Sequence, residues 1–214
     1  MATNISVFTF NGFQENTYVL DDGSNCVIID PGCYEPHEQE ALVEFIESKN
    51  LKPVALLMTH SHIDHVLGAH FVLNKFNIPF YMHELDVQTM QSVASYAHVY
   101  GFPGYTPPSD PTHLLKGGEI LEFGSIRLEV LFTPGHAPGH VVYFDRENQF
   151  VINGDVLFSG SFGRVDLPGG SMEVLKQTIH NVMFTLPDET TVHCGHGPAT
   201  TIGREKQSNM ILQF

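Results

Sequence analysis

The stretch MTHSHIDH, residues 58–65, places His60, His62, Asp64 and His65 directly after the apolar run PVALLM at 53–58. Imidazole nitrogen and carboxylate oxygen together form a ligand set for zinc, iron or manganese. His60 and His62 stand two apart, so on an extended segment their side chains point the same way. Asp64 alone has an ordinary explanation, as an acid entering the first turn of a helix that starts near Val66. Three imidazoles and a carboxylate converging on one strand end have none. Without an ion they are several polar groups crowded into a small space with few partners.

Three further strand ends carry the same kind of residue. LFTPGH (131–136) ends in His136, VINGD (151–155) in Asp155 and VHCGH (192–196) in His196. Each is weak alone. Together, His60, His62, Asp64, His65, His136, Asp155 and His196 are too many for one tetrahedral ion. Two ions sharing a carboxylate would use them. His140 is expected to support a ligand through a hydrogen bond. His193 reads as structural, and Cys194 as a small buried residue ending a strand. His37, His70, His83, His98, His113 and His180 read as surface or locally satisfied histidines.

The elements that must position these residues follow from periodicity. Strands are expected at 5–10, 17–21, 26–30, 53–58, 119–123, 126–132, 140–145, 150–153 and 190–193. Helices are expected at 35–49, 66–76, 84–97, 172–184 and 203–211. The Pro- and Gly-rich stretch 101–111 and the Gly-rich stretch 154–170 read as loops. Strands come in two groups, each with helices attached and no repeat between them. That pattern suggests an α/β domain of two sheets face to face with helices outside.

Composition narrows the function. The 214 residues are 42% hydrophobic and 16% charged, a folded composition. Twenty-four acids against ten bases give a net charge of −14, and no Lys/Arg cluster appears. Nucleic acid and anionic membrane are therefore not expected partners. No apolar run reaches the roughly 18 residues of a membrane span. Cys26, Cys33 and Cys194 do not make a disulfide framework, and no secretory signal is visible, so a cytoplasmic location is expected.

The motifs THSHIDH (59–65), TPGHAPGH (133–140), NGDVLF (153–158) and CGHGPATTIG (194–203), with DPG at 30–32, resemble those of the metallo-β-lactamase superfamily. The resemblance implies an αβ/βα four-layer sandwich, with mixed sheets inside, helices outside and metals at the sheet ends. It implies His60, His62 and His136 on one metal, Asp64, His65 and His196 on the other, Asp155 as bridge, and Asp30 supporting the ligands. Zinc is the first expectation for the two divalent ions, with iron or manganese as alternatives. The stretch GDVLFSGSFGRVDLPGGS (154–171) is similar to the glyoxalase II (hydroxyacylglutathione hydrolase) branch, closest to its small single-domain bacterial type. The whole of 1–214 then reads as one such domain, without the helical C-terminal glutathione-binding domain of larger members. A bridging Asp155 tells against β-lactamases.

The implied reaction is hydrolysis of S-D-lactoylglutathione or a related thioester by a hydroxide shared between the metals, with Asp64 and Asp155 as the catalytic carboxylates. A thiol leaving group, with a pKa near about 8.5, needs little acid help. Arg164, Ser159 and Phe162 are expected to contact substrate, with Ser161 beside them. Arg204 and Lys206 are weaker anion contacts, and Tyr105 and Tyr143 more ordinary packing residues. A mononuclear-iron persulfide dioxygenase using His60, His136 and Asp155 is the alternative, followed by a lactonase and, last, a non-catalytic metal-binding module. Oligomeric state is left open.

Overall fold

The computed structural model of the chain describes residues 3–214. Two six-stranded sheets pack face to face. The first runs β1 (Asn4–Phe10), β2 (Glu15–Asp21), β3 (Asn25–Ile29), β4 (Lys52–Leu57), β5 (Phe80–His83) and β6 (His113–Leu115). Its first three strands pair antiparallel and the rest parallel. The second runs β7 (Ile120–Phe123), β8 (Ile126–Phe132), β9 (Val141–Asp145), β10 (Phe150–Gly154), β13 (Thr191–Cys194) and β14 (Thr200–Thr201). Only its β10–β13 pair is parallel. A short hairpin, β11 (Leu157–Phe158) with β12 (Ser161–Phe162), follows β10.

Side chains alternate between the two faces of each strand, and this builds three apolar layers. Val27 and Ile29 of β3 point between the sheets, where they meet Leu57 of β4 and Val130, Tyr143 and Ile152 of the second sheet. Cys26 and Ile28 point outward against α1 (Pro36–Ser48), α2 (Ile63–Val66), α3 (Ala69–Phe76) and α4 (Val87–Tyr96), through Leu42, Val66, Val72 and Val93. On the far side, Val142, Phe144 and Val192 meet Leu175, Ile179 and Ile202 of α5 (Met172–Asn181) and α6 (Ile202–Ser208). The order helix, sheet, sheet, helix is the four-layer sandwich expected. Among the described residues no helix is long and apolar enough to cross a membrane.

Several boundaries differ from the sequence reading. The helix expected over 66–76 starts earlier, at Ile63, and breaks at Leu67-Gly68 before α3. Gly68 donates its N–H to the Pro31 carbonyl at 2.7 Å. A Cβ there would overlap Cys33 and the Pro31 carbonyl, so the close approach requires glycine. The helix expected over 84–97 opens with a 3₁₀ turn, Glu84–Asp86. The stretch 154–170 is not all loop, because it contains the β11–β12 hairpin. Strands β5, β6 and β14 are too short for an alternating pattern to announce them.

Candidate metal centre

All the candidate ligands lie at one end of the sandwich, on the segments that follow β4, β8, β10 and β13, with Asp64 and His65 inside α2. His62 Nδ1 and His60 Nε2 lie 2.8 and 3.2 Å from His136 Nε2. His196 Nε2 and His65 Nε2 lie 3.1 and 3.9 Å from Asp64 Oδ2. These two sets, His60–His62–His136 and Asp64–His65–His196, each have ligand atoms close enough to hold a metal ion. Asp155 stands between them. Its Oδ1 is 3.5 Å from His65 Nε2, and its Oδ2 is 3.6 Å from His136 Nε2 and 3.5 Å from His196 Nε2.

Hydrogen bonds on the far side of each ring decide which nitrogen is bare. His136 Nδ1–H donates to the Arg164 carbonyl at 2.7 Å, and His196 Nδ1–H lies 3.2 Å from the carbonyls of Phe13 and Gln14. His65 Nδ1–H donates to Asp30 Oδ2 at 3.1 Å. The Thr59 hydroxyl donates to that same oxygen at 2.5 Å and accepts from His60 Nδ1 at 3.0 Å. Since carbonyls and carboxylates only accept, these four rings present bare Nε2 atoms to the centre. His140 accepts the Asp155 N–H on Nε2 at 3.1 Å and contacts the Thr133 hydroxyl at 3.0 Å through Nδ1. It therefore fixes the backbone of the shared carboxylate, and Asp30 fixes His60 and His65.

A cation suits this arrangement. His65 Nε2 and Asp155 Oδ1 are buried with no hydrogen-bond partner, and bare imidazole nitrogens face one another across about 3 Å. Burial, reinforced by His136, pushes His62 down to about 3, and burial with the surrounding imidazoles also keeps His60 neutral. Burial alone would raise the Asp155 carboxyl, yet His65, His136 and His196 hold it well below the usual carboxylate range. At His65 burial favours the neutral ring, but Asp155 and Asp64 outweigh it and raise its proton affinity. The carboxylates thus call for positive charge at the place where the bare nitrogens point, which is the chemistry of a metal site.

The sequence did not reveal four residues that position this centre. Asp86, at the turn before α4, accepts from the Ser61 N–H (2.5 Å), the Ser61 hydroxyl (2.7 Å) and the Gly139 N–H (3.2 Å). It ties the loop of His60 and His62 to the loop of His136. Asn11 donates to the carbonyls of Asp64 (2.9 Å) and Gly32 (3.0 Å). Asn16 holds the turn before His196, donating from its side chain to the carbonyls of Cys194 and Gly197 and from its backbone to that of Gly195. Glu15 is fully buried, with one oxygen on Thr17 and the other unpartnered, 3.8 Å from His65 Nδ1. No local pattern marks these four, because each acts on a segment distant in sequence.

A cleft of about 1120 Å³ opens beside the centre. Phe162 and Arg164 line it. Ser159 is not among the residues that line it. It sits in the turn between β11 and β12, whereas Ser161 and Phe162 of β12 both line the cleft. Tyr143 is buried between the sheets, donating to the Met58 carbonyl, and Tyr105 lies outside the cleft. Lys206 is engaged with Asp188 and the Leu186 carbonyl, and Arg204 does not reach the cleft. His193 packs against Tyr18 and Phe150, as a structural residue should.

The model of the metallo-β-lactamase superfamily matches residues 10–196. The chain belongs to the metallo-β-lactamase superfamily. It is 39% identical to the probable metallo-hydrolase YqgX of Bacillus subtilis (93% of this chain, 92% of the relative). It is 36% identical to hydroxyacylglutathione hydrolase GloC of Haemophilus influenzae, over 98% of both chains. Among solved structures it resembles the B3 metallo-β-lactamase BLEG-1 (TM-score 0.89, 36% identity, 99% of this chain and 100% of that one). It also resembles TTHA1623 in a di-iron-bound form (TM-score 0.86, 38% identity, 96% and 98%). Membership in this metallo-hydrolase superfamily accounts for the sandwich and for a His/Asp cluster at its end.

Proposed function

We propose that this superfamily member is a dinuclear metal-dependent hydrolase of thioesters, of the hydroxyacylglutathione hydrolase kind. The observation that carries the reading is the placement of Asp155, whose Oδ2 faces one ligand of each set, His136 and His196, while its Oδ1 faces His65. His60, His62 and His136 would hold one ion, Asp64, His65 and His196 the other, and Asp155 both. Such a pair supplies an acidified water as nucleophile near neutral pH and a Lewis acid for the carbonyl oxygen. Zinc is the first choice for the ions, and the di-iron form of the similar TTHA1623 supports iron as well.

The chain's own residues do the positioning. Asp30, Thr59 and the carbonyls of Phe13, Gln14 and Arg164 orient the imidazoles, and His140 holds Asp155 through its backbone. Apart from the candidate ligands, the ionisable groups lining the cleft are Tyr96, Tyr100 and Arg164. Burial raises the Tyr96 phenol and the Asp166 hydrogen bond raises the Arg164 guanidinium, so neither is poised as an acid near pH 7. That poverty suits a thiolate leaving group, which departs without a proton, better than an amide nitrogen. It favours a thioester over a β-lactam, and GloC supports the same choice by likeness.

The test is hydrolysis of S-D-lactoylglutathione by the metal-replete protein, with ampicillin and a homoserine lactone beside it and bound metal counted on the same sample. Thioester turnover above the other two, with about two ions per chain, is the expected result. One iron per chain, with oxygen consumed on glutathione persulfide, would replace this reading with the dioxygenase.

A further inference from the structure

The cleft walls bear on which thioesters the site takes, an inference that rests on the hydrolase reading above. Phe13, Tyr96 and Tyr100 form one ring cluster at the cleft, and Phe158, Phe162 and Leu167 supply further apolar lining. The remaining polar groups of the wall, beyond the candidate ligands, are neutral apart from one. Of the ten Lys and Arg residues, Arg164 is, among the described residues, the one that lines the cleft. Its guanidinium is already engaged: Nε and Nη2 donate to Oδ1 and Oδ2 of Asp166, each at 2.7 Å. This exposed fork-to-fork pair takes two of the five guanidinium N–H donors and sets a carboxylate beside the one cation that a substrate carboxylate or phosphate would meet. The guanidinium holds Asp166 down to about 2, so the carboxylate stays charged at neutral pH. Any positive charge brought by the ions lies at the reacting end, whereas the remote parts of a substrate meet the ring-lined walls. Around them the chain carries a net charge of −14.

We infer that this cleft selects thioesters whose remote parts are apolar and uncharged, and that it has no charge-based recognition of anionic thiol carriers such as glutathione or coenzyme A. Aromatic and aliphatic acyl or thiol groups are bound by burial against the rings. Glutathione, with its two carboxylates, gains nothing from the wall and approaches against the field of an acidic protein.

Two matched comparisons test this. The first is kcat/KM of the metal-replete protein for a phenylacetyl thioester of glutathione and for the same acyl group on uncharged N-acetylcysteamine. The second needs no metal and no turnover: calorimetric binding of S-benzylglutathione and S-benzyl-N-acetylcysteamine. The neutral member should be favoured in both, by on the order of tenfold. Raising NaCl from about 0.05 to about 0.5 M shortens the Debye length to a few ångströms and should strengthen the glutathione member rather than weaken it. Asp166→Asn, which frees Arg164, should raise the glutathione-to-neutral ratio about threefold or more. A glutathione member that binds tighter, loses affinity with salt and suffers from Arg164→Ala would overturn the inference while leaving thioester hydrolysis standing. If no thioester is hydrolysed, the hydrolase reading fails, and the binding arm still decides the character of the cleft.

Discussion

Asp86 and Ser61 are joined twice through the Asp86 carboxylate: Asp86 Oδ2 accepts both the Ser61 backbone N–H at 2.5 Å and the Ser61 hydroxyl at 2.7 Å. The other oxygen takes the Gly139 N–H at 3.2 Å. One buried carboxylate therefore sets the distance between the loop of His60 and His62 and the loop of His136. Asp86→Ala leaves the Ser61 and Gly139 N–H groups unsatisfied, while the Ser61 hydroxyl keeps the residue 86 carbonyl, and frees both loops. We expect metal affinity to fall about 10- to 100-fold, read by competition with a chromogenic chelator. Unchanged affinity would mean that the loops hold their spacing without it.

Asp30 serves the other side of the centre. It accepts from the Thr59 N–H, the Thr59 hydroxyl and His65 Nδ1. Asp30→Asn puts an amide donor against one of these donors. The Asp64–His65–His196 set should weaken first, so dialysis against a mild chelator should leave about one ion per chain where the parent protein keeps about two. Retention of both ions would show that His65 does not depend on Asp30 for its orientation.

Gly195 passes so close to Asp155 Oδ1 and His65 that a Cβ would displace them, whereas Gly12 has open space around its missing side chain. Gly195→Ala should lose bound metal with little change in circular dichroism. Gly12→Ala should keep it. Equal metal content in the two variants would contradict the packing argument.

Acid stability has a contribution far from the site. Asp22 accepts from the N–H groups of Asn25, Ser24 and Ser125, and these bonds, Asn25 first, hold its carboxyl down to about 2. A depressed folded-state value stabilises the fold fully above the unfolded value near about 3.9, and this stabilisation is lost as pH falls through about 2. Asp22→Asn should cost about 1 kcal/mol at pH 7, small because the group is partly solvated. The difference from the parent in urea melts should shrink between about pH 4 and pH 2.

How much of this was legible in the sequence depends on how local each feature is. The seven candidate ligands were visible because each sits within a few residues after a strand, where spacing and residue type survive in one short string. The two sheets were visible through strands such as 26–30 and 126–132, whose alternation or apolar run is long enough to read. Strands β5 and β6 were not, at four and three residues. Asp86, Asn11, Asn16 and Glu15 escaped because they hold loops brought near only by folding. The Arg164–Asp166 pair is different. Two residues apart on an extended segment, the two side chains fall on the same side, so the sequence RVD already carried the signal that Arg164 would be neutralised.

The most direct test of the account counts metal and follows thioester hydrolysis on one sample, before and after chelation and after reconstitution. The account predicts about two ions per chain, loss of hydrolysis with the ions and its return with them, and neither in Asp155→Ala. Full hydrolysis in the chelated protein, or in an Asp155→Ala protein that still holds two ions, would contradict it.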